Sequence, residues 1–213
     1  LTIKDGGQLI VNNSGVKATV EKVMDKHGYW GKSENQKAGW YFLAAPMTDF
    51  AVTSFTNQAG NGDYDLYRWY IKDDGTPIWY NYKAHTGEFE TNFVSGRGYL
   101  AAYETTNLLK MQGTLNAGTT FDFTSELNGE GHFTLLGNPF TYDLKWSDFN
   151  NKTGIYDGFA VVDSEDGIIK YAVEDMPIKV GTGFMVYTEE EGATLSEPLS
   201  GRTTTAEFSF WCR

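Results

Sequence analysis

The residues best suited to binding chemistry are five aromatic side chains in one short stretch, Tyr67, Trp69, Trp79, Tyr80 and Tyr82. Flat aromatic rings stack on sugar rings, and tyrosine hydroxyls add hydrogen bonds. The cluster is therefore a candidate surface for binding a glycan or a host or matrix protein. One face of a β-hairpin must pack into a core, so part of the cluster is expected to be buried.

An acidic loop is a weaker candidate for a metal site. Asn61, Asp63 and Asp65 offer oxygen atoms at alternate positions, as calcium loops do. An EF-hand loop would also need glycine at its sixth position and glutamate at its twelfth, where this chain has Leu66 and Lys72. A calcium site outside the EF-hand class stays open, and no other cofactor is predicted.

No set of residues predicts a catalytic reaction. The three histidines, His27, His85 and His132, are far apart in the sequence, and neither a zinc-protease motif nor a Gly-x-Ser-x-Gly elbow is present. Cys212 lies next to the C-terminal residue, a poor position for a nucleophile. The 28 acidic residues would allow some pair at a glycosidase spacing in any fold, so they do not predict an enzyme.

Two Gly-x-Gly pairs, Gly96/Gly98 and Gly181/Gly183, resemble parts of phosphate loops. A phosphate loop joins a strand to a helix in a βαβ unit, and neither pair has that context. We therefore predict that both pairs form bulges or the tight start of a strand.

Asn138 and Pro139 stand in the motif Gly-Asn-Pro-Phe. The asparagine could contact a ligand at the tip of a loop. The favoured interpretation is structural: its side chain caps its own turn before the proline.

Composition excludes several classes of protein. The 213 residues carry a net charge of −11, which argues against nucleic acid as a partner. No apolar run approaches the length of a membrane span. Hydrophobic residues make up 40% and aromatic residues 15%, enough for a folded core. A single cysteine excludes an internal disulfide bond.

The chain contains an internal repeat. Separate blocks recur in the same order: the stretch around Pro139 matches that around Pro46, 155–173 matches 65–82, and 178–189 matches 93–104. We therefore predict an N-terminal strand or solenoid-like region at 1–30, a first β unit at 39–128 and a second β unit at 129–213.

Within these units the side-chain pattern is that of short strands. Alternation predicts a hairpin that turns at Asp73–Thr76, and a strand rather than a helix over 17–26. One further short strand is predicted at 51–55, and a helical turn near Trp146. The predicted fold is all-β, antiparallel and sandwich-like.

The stretch LLGNPFTYDLKW, followed by IKVGTGFMVY, resembles a paired signature of secreted and cell-surface proteins of the Bacteroidetes. A weaker form, GWYFLAAPM with GRGYLAAYE, precedes it. In that group such β-rich modules sit near the C-terminal end of long exported proteins, including adhesins and proteases. The resemblance implies a bacterial cell-surface or extracellular location, with neighbouring domains of a parent chain as partners.

Together these observations predict a non-catalytic module for adhesion, display or spacing. One alternative is a carbohydrate-binding module that uses the aromatic hairpin. Another is an accessory domain of a glycoside hydrolase.

Overall fold

The computed structural model of the chain describes residues 1–27, 38–118, 120–165, 167, 169–172 and 176–198. Within them the secondary structure is almost entirely β, which confirms the predicted all-β fold. The strands are β1 (Thr2–Ile3), β2 (Lys17–Met24), β3 (Tyr41–Leu43), β4 (Tyr64–Ile71), β5 (Pro77–Asn81), β6 (Tyr99–Tyr103), β7 (Asn107–Thr114), β8 (Thr120–Asp122), β9 (Phe133–Gly137), β10 (Asn151–Thr153), β11 (Phe159–Val162), β12 (Ile169–Ala172), β13 (Gly183–Tyr187) and β14 (Thr194–Pro198). One α-helix, α1 (Val52–Asn57), and two 3-10 helices, Thr124–Glu126 and Trp146–Asp148, complete the described elements.

Strand pairing forms four sheets, each of three or four strands. The first outer sheet has the order β1-β2-β7, and the first inner sheet has the order β3-β6-β4-β5. The second inner sheet has the order β9-β13-β11-β12, and the second outer sheet has the order β10-β14-β8. The two inner sheets therefore share one topology. In each, the strand that comes first along the chain is at one edge, the last strand lies next to it, and the second and third strands follow. We call β1–β7 the first unit and β8–β14 the second unit.

These pairings differ from the predicted domain boundaries. Residues 1–27 of the predicted N-terminal region contribute β1 and β2, which pair with β7 in the first unit. Strand β8 falls inside the predicted unit 39–128 but pairs with β14 of the second unit. The pairings favour a boundary near residue 118. Residues 28–30 and 199–213 of the predicted regions lie outside the described residues.

The four sheets are stacked face to face, because both faces of each inner sheet are apolar. In β3, for example, Leu43 packs in the core between the first outer and first inner sheets, while Phe42 points to the other side. A second core fills the space between the second inner and outer sheets. Between the two inner sheets lies a third apolar layer, the central contact, which contains Phe42, Leu135, Ala160 and Met185, with Trp69, Trp79, Leu100, Phe133 and Val162 packed against it.

The main chains of the two units are also hydrogen bonded at the central contact. The Gly137 N–H donates to the Gly96 carbonyl over 2.8 Å, and the Ala44 N–H donates to the Gly181 carbonyl over 3.2 Å. In the repeat alignment Ala44 corresponds to Gly137, and Gly181 corresponds to Gly96. The same bond is therefore made twice with the units exchanged, as in a dimer with a two-fold axis. The units are packed about an approximate two-fold axis within one chain.

Glycine is required where these main chains approach each other. A Cβ atom added to Gly98 would lie 2.4 Å from the Leu136 carbonyl oxygen. One added to Gly137 would lie 2.6 Å from the Ala44 Cβ, and one added to Gly183 would lie 3.1 Å from the Phe42 Cβ of the first unit. The Gly-x-Gly pairs thus lie at the starts of strands β6 and β13, where they allow the two units to approach each other closely.

Three predicted local elements are confirmed and one is wrong. The strand over 17–26 is confirmed as β2, the hairpin is confirmed as β4 and β5, and the helical turn at Trp146 is confirmed. The strand at 51–55 is wrong, because residues Val52–Asn57 form α1. Val52 and Phe55 are both buried, and their spacing of three places them on one side of a helix rather than on opposite faces of a strand.

Candidate functional site

The five aromatic residues of the hairpin do not form one surface. In the register of β4 and β5, Trp69 lies opposite Trp79, and Tyr80 lies opposite Arg68. Because side chains alternate along a strand, Tyr67, Trp69 and Trp79 share the face that looks towards the central contact. Tyr80 and Tyr82 lie on the other face.

Trp69 and Trp79 are half-buried between the two units. Their ring centroids are 4.8 Å apart at an interplanar angle of 66°, and Trp79 also lies 6.2 Å from the Phe42 ring. The Trp69 indole N–H donates a hydrogen bond of 2.8 Å to the Phe133 carbonyl of the second unit. Sugar stacking needs an open, flat ring face, whereas this edge-to-face pair fastens one unit to the other.

Trp69→Phe is expected to lower the free energy of unfolding by about 1 kcal/mol more than Trp79→Phe. Both changes remove similar apolar area at half-buried positions, but only the first deletes the indole hydrogen bond across the units. Urea denaturation of the two variants measures this difference. Equal losses would mean that the bond to Phe133 contributes nothing.

The opposite face of the hairpin carries polar-tipped rings. Tyr80 stacks on His85 with centroids 4.0 Å apart, and its hydroxyl donates to Glu88, which raises the pKa of Tyr80. The Arg68 guanidinium carbon lies 4.7 Å from the Tyr80 ring. Tyr82 packs at the edge of the first core. The three apolar cores of the described residues do not include the half-buried Tyr80.

Tyr67 lies on the central-contact face, close to Trp40 and to His27, which follows β2. Its ring centroid is 6.1 Å from that of Trp40, which in turn meets His27 edge-on at 4.4 Å. Burial raises the pKa of Tyr67 and lowers the pKa of His27. Both shifts mean that these side chains are held in their neutral forms.

Acidification is therefore expected to weaken the fold through His27, which is 3% exposed. Burial lowers its pKa below the usual 6.5, and the charge of Asp65 opposes this only in part. The folded protein binds the proton less readily than the unfolded chain, so the stabilisation is complete above pH 6.5 and is lost as the pH falls towards the lowered pKa. The unfolding free energy of the wild type should depend more steeply on pH than that of His27→Gln, measured from about pH 8 to about pH 5. Parallel pH profiles would contradict this role.

The acidic loop already has a cation beside it. The Lys83 ammonium lies 2.7 Å from the Asp63 carboxylate and 3.6 Å from that of Asp65, and its hydrogen bond lowers the pKa of Asp63. Asn61 is exposed and does not join them. Within the described residues, no three histidine, cysteine or acidic side chains are grouped as metal ligands. The calcium site stays a prediction from the sequence alone.

Asn138 is fully buried and satisfies four main-chain groups. Its amide nitrogen donates to the carbonyls of Tyr142 and Ile178, each over 2.9 Å, and to Lys179 over 3.3 Å. Its oxygen accepts the Phe140 N–H over 2.9 Å, which closes a turn around Pro139. At this position the asparagine has no open side for a ligand.

A polar cavity that the sequence did not predict lies beside Trp69. It has a volume of about 320 Å³ and is lined in part by Trp69, Tyr70, Arg97, Glu126 and Asn128. The Arg97 side chain donates to Glu126 over 2.8 Å and also pairs with Glu90, which accepts a second bond from Arg68. We call this space the Arg97 cavity. Its residues come from separate segments of both units, so no spacing in the sequence could reveal it.

Comparison with protein-family models, curated proteins and solved structures found no match for the chain. In the part of the chain that the structure describes, no helix is long and apolar enough to cross a membrane.

Proposed function

We propose that this chain is a non-catalytic, extracellular module of a larger bacterial surface or secreted protein, and that it displays or spaces the domains attached to it. The main support is the use of the two hairpin tryptophans. Trp69 and Trp79 fill the central contact, and Trp69 forms a hydrogen bond to the second unit. The residues with the best binding chemistry in the sequence thus join two units into one body.

A stiff body suits such a role. Apolar layers lie between all neighbouring pairs of the four stacked sheets, so bending at the junction of the units would expose Phe42 and Leu135. Exposing apolar area costs roughly 25 cal/mol per Å². The resemblance of GNPF and GTGFMV to exported Bacteroidetes modules supports the location outside the cell.

Two measurements test this proposal. Residue-resolved NMR during thermal unfolding should give one midpoint for Leu66 of the first unit and Leu195 of the second, because the units support each other. Two well-separated midpoints would show independent beads and would contradict a rigid spacer. An antibody against the module should label intact cells of the source bacterium, and labelling only after permeabilisation would contradict the extracellular location.

The Arg97 cavity favours carbohydrate binding as a second candidate function. Tyr70, 36% exposed, offers a ring face beside the cavity, and arginine, glutamate and asparagine side chains offer donors and acceptors for sugar hydroxyls. We therefore propose the sugar site beside Trp69 and away from Trp79, whose removal would damage the central contact.

A glycan array should compare the wild type with Tyr70→Ala, with and without calcium. Tyr171→Ala is the matched control, since Tyr171 is an exposed tyrosine of the second unit, outside the cavity. Binding that is lost only in Tyr70→Ala would establish the sugar site. Absence of binding to any glycan would contradict the sugar site and favour the spacer function.

A further inference from the structure

The approximate two-fold axis creates two equivalent crevices beside the central contact. Each lies between the hairpin of one unit and the edge strand of the inner sheet in the other unit. The Arg97 cavity, beside β4 and β9, is one of them. Its counterpart, beside β11 and β3, has a volume of about 570 Å³ and is lined by Lys22, Tyr41, Phe42, Val162, Pro177 and Lys179, among others. We call it the Lys22 crevice.

The Lys22 crevice is wider because its hairpin carries smaller side chains at the central contact. The hairpin of the first unit fills its side with Trp69 and Trp79. On the equivalent face of the second unit, β11 presents Ala160 and Val162. Ile169 lies opposite Val162 as Trp79 lies opposite Trp69, and it stands 47% exposed instead of closing the gap.

One side of the crevice is apolar. Phe42, which is 2% exposed, forms part of the wall together with Tyr41 and Val162. Met176 and Pro177 continue this wall towards solvent, and Met176 is 44% exposed. Such a wall fits a hydrocarbon group.

The other side carries two ammonium groups. Lys22 is half-buried and donates a hydrogen bond of 3.3 Å to the Thr182 hydroxyl. Burial lowers the pKa of Lys22, Asp5 and Asp143 oppose this shift, and the charge of Lys179 adds to it. Lys179 is exposed, and its ammonium group forms no hydrogen bond or ion pair with the described residues. An adjoining cavity of about 450 Å³ is also lined by Lys22 and Lys179, so solvent reaches both amines.

The carboxylates near these amines are already engaged by protein groups. Asp5 accepts the Val23 N–H over 3.1 Å, Asp143 accepts the Val180 N–H over 3.0 Å, and Asp163 pairs with Lys170 over 2.6 Å. Hydrogen bonds to main-chain N–H groups hold the first two carboxylates in place. Lys22 is therefore left with a hydroxyl as its hydrogen-bond partner, and a ligand carboxylate would be a better one.

We propose that the Lys22 crevice binds a small amphipathic monocarboxylate, with its carboxylate between Lys22 and Lys179 and its hydrocarbon chain along Phe42 and Val162. Two observations support this proposal: one wall of the crevice is apolar, and two lysine side chains line the same crevice. The proposal is independent of the spacer function and of the sugar site.

Octanoate serves as the probe, titrated into the intact protein by calorimetry and by NMR of the valine methyl groups. We expect one binding site, with shifts at Val161 and Val162. Octanol, which has the same tail without the charge, and acetate, which has the head without the tail, should each bind at least tenfold more weakly.

Three variants make the test specific. Lys22→Met keeps most of the side-chain volume but removes the charge, and it should weaken octanoate binding at least tenfold. Val162→Trp copies the bulk found at the equivalent crevice and should block binding while both lysines remain. Lys17→Met is the control, because Lys17 is an exposed lysine on the same strand, outside the crevice.

The NMR spectrum of each variant reports whether it is folded. Wild-type binding that is unchanged in both Lys22→Met and Val162→Trp would overturn the proposal. So would equal affinity for octanol and octanoate, or no octanoate binding at millimolar concentration.

Discussion

Replacing Asn138 by alanine is expected to lower the free energy of unfolding by roughly 3–5 kcal/mol, since each buried polar group left unpaired costs about 1–3 kcal/mol. The side chain is fully buried and bonds four main-chain groups, at Phe140, Tyr142, Ile178 and Lys179. Alanine makes none of these hydrogen bonds, and the position is buried away from bulk water. Urea denaturation with a fluorescence readout measures the loss.

Two other variants show whether the hydrogen bonds are the cause. Asn138→Asp keeps the shape and the bond from Phe140 but turns an oxygen towards three carbonyls, so it should be at least as harmful at neutral pH. Asn116→Ala removes two bonds at a half-buried position: a donation of 2.7 Å to the Pro139 carbonyl, and the bond of 3.1 Å that the Ser95 hydroxyl donates to Asn116. It should cost about 1–2 kcal/mol, less than the loss of four bonds at a fully buried position. If Asn138→Ala cost no more than Asn116→Ala, the motif would not have the structural role assigned to it.

Gly98→Ala is expected to disrupt the joining of the two units, at a cost of about 3 kcal/mol, the upper end of the range for overpacking. The added Cβ would lie 2.4 Å from the Leu136 oxygen and 2.8 Å from the Leu135 Cγ. A carbonyl in a paired strand cannot move away without loss of the Gly98 N–H bond to Leu135. The variant should lower the melting temperature and shift NMR signals across the central contact.

Gly87→Ala is the matched control for this effect. A Cβ at Gly87 meets nothing within 4 Å, and the residue does not adopt the left-handed conformation. Its stability should stay at the wild-type level or rise slightly through the lower entropy of the unfolded chain. Equal behaviour of the two alanine variants would mean that the main chains at the central contact separate easily.

Much of the local structure could be predicted, because alternation along a strand is a direct consequence of backbone geometry. The pattern from Tyr67 to Tyr82 predicted the hairpin and that its aromatic residues fall on two faces. The helix at Val52 was missed because only Val52 and Phe55 mark its buried side, and a single turn gives too few positions to distinguish a period of 3.6 from one of two.

The candidate sites were harder to predict than the strands. Alternation shows that Trp69 and Trp79 share a face, but it does not show what covers that face. The covering group is the second unit, more than sixty residues later in the sequence, and it includes the Phe133 carbonyl. Lys22 and Lys179 likewise meet only through the packing of the two units, so neither could be assigned to a site beforehand.

The two units make the same contact twice, at Gly96 and Gly137 and at their counterparts, as two identical subunits would. Unlike such subunits, they stay associated when the protein is diluted. A symmetric pair of separate subunits dissociates when its concentration falls below its dissociation constant. Here the connection between β7 and β8 holds the partners at a fixed effective concentration, in the millimolar range for a short linker. The assembly is therefore as complete for a single molecule in a dilute medium as it is in a crowded one.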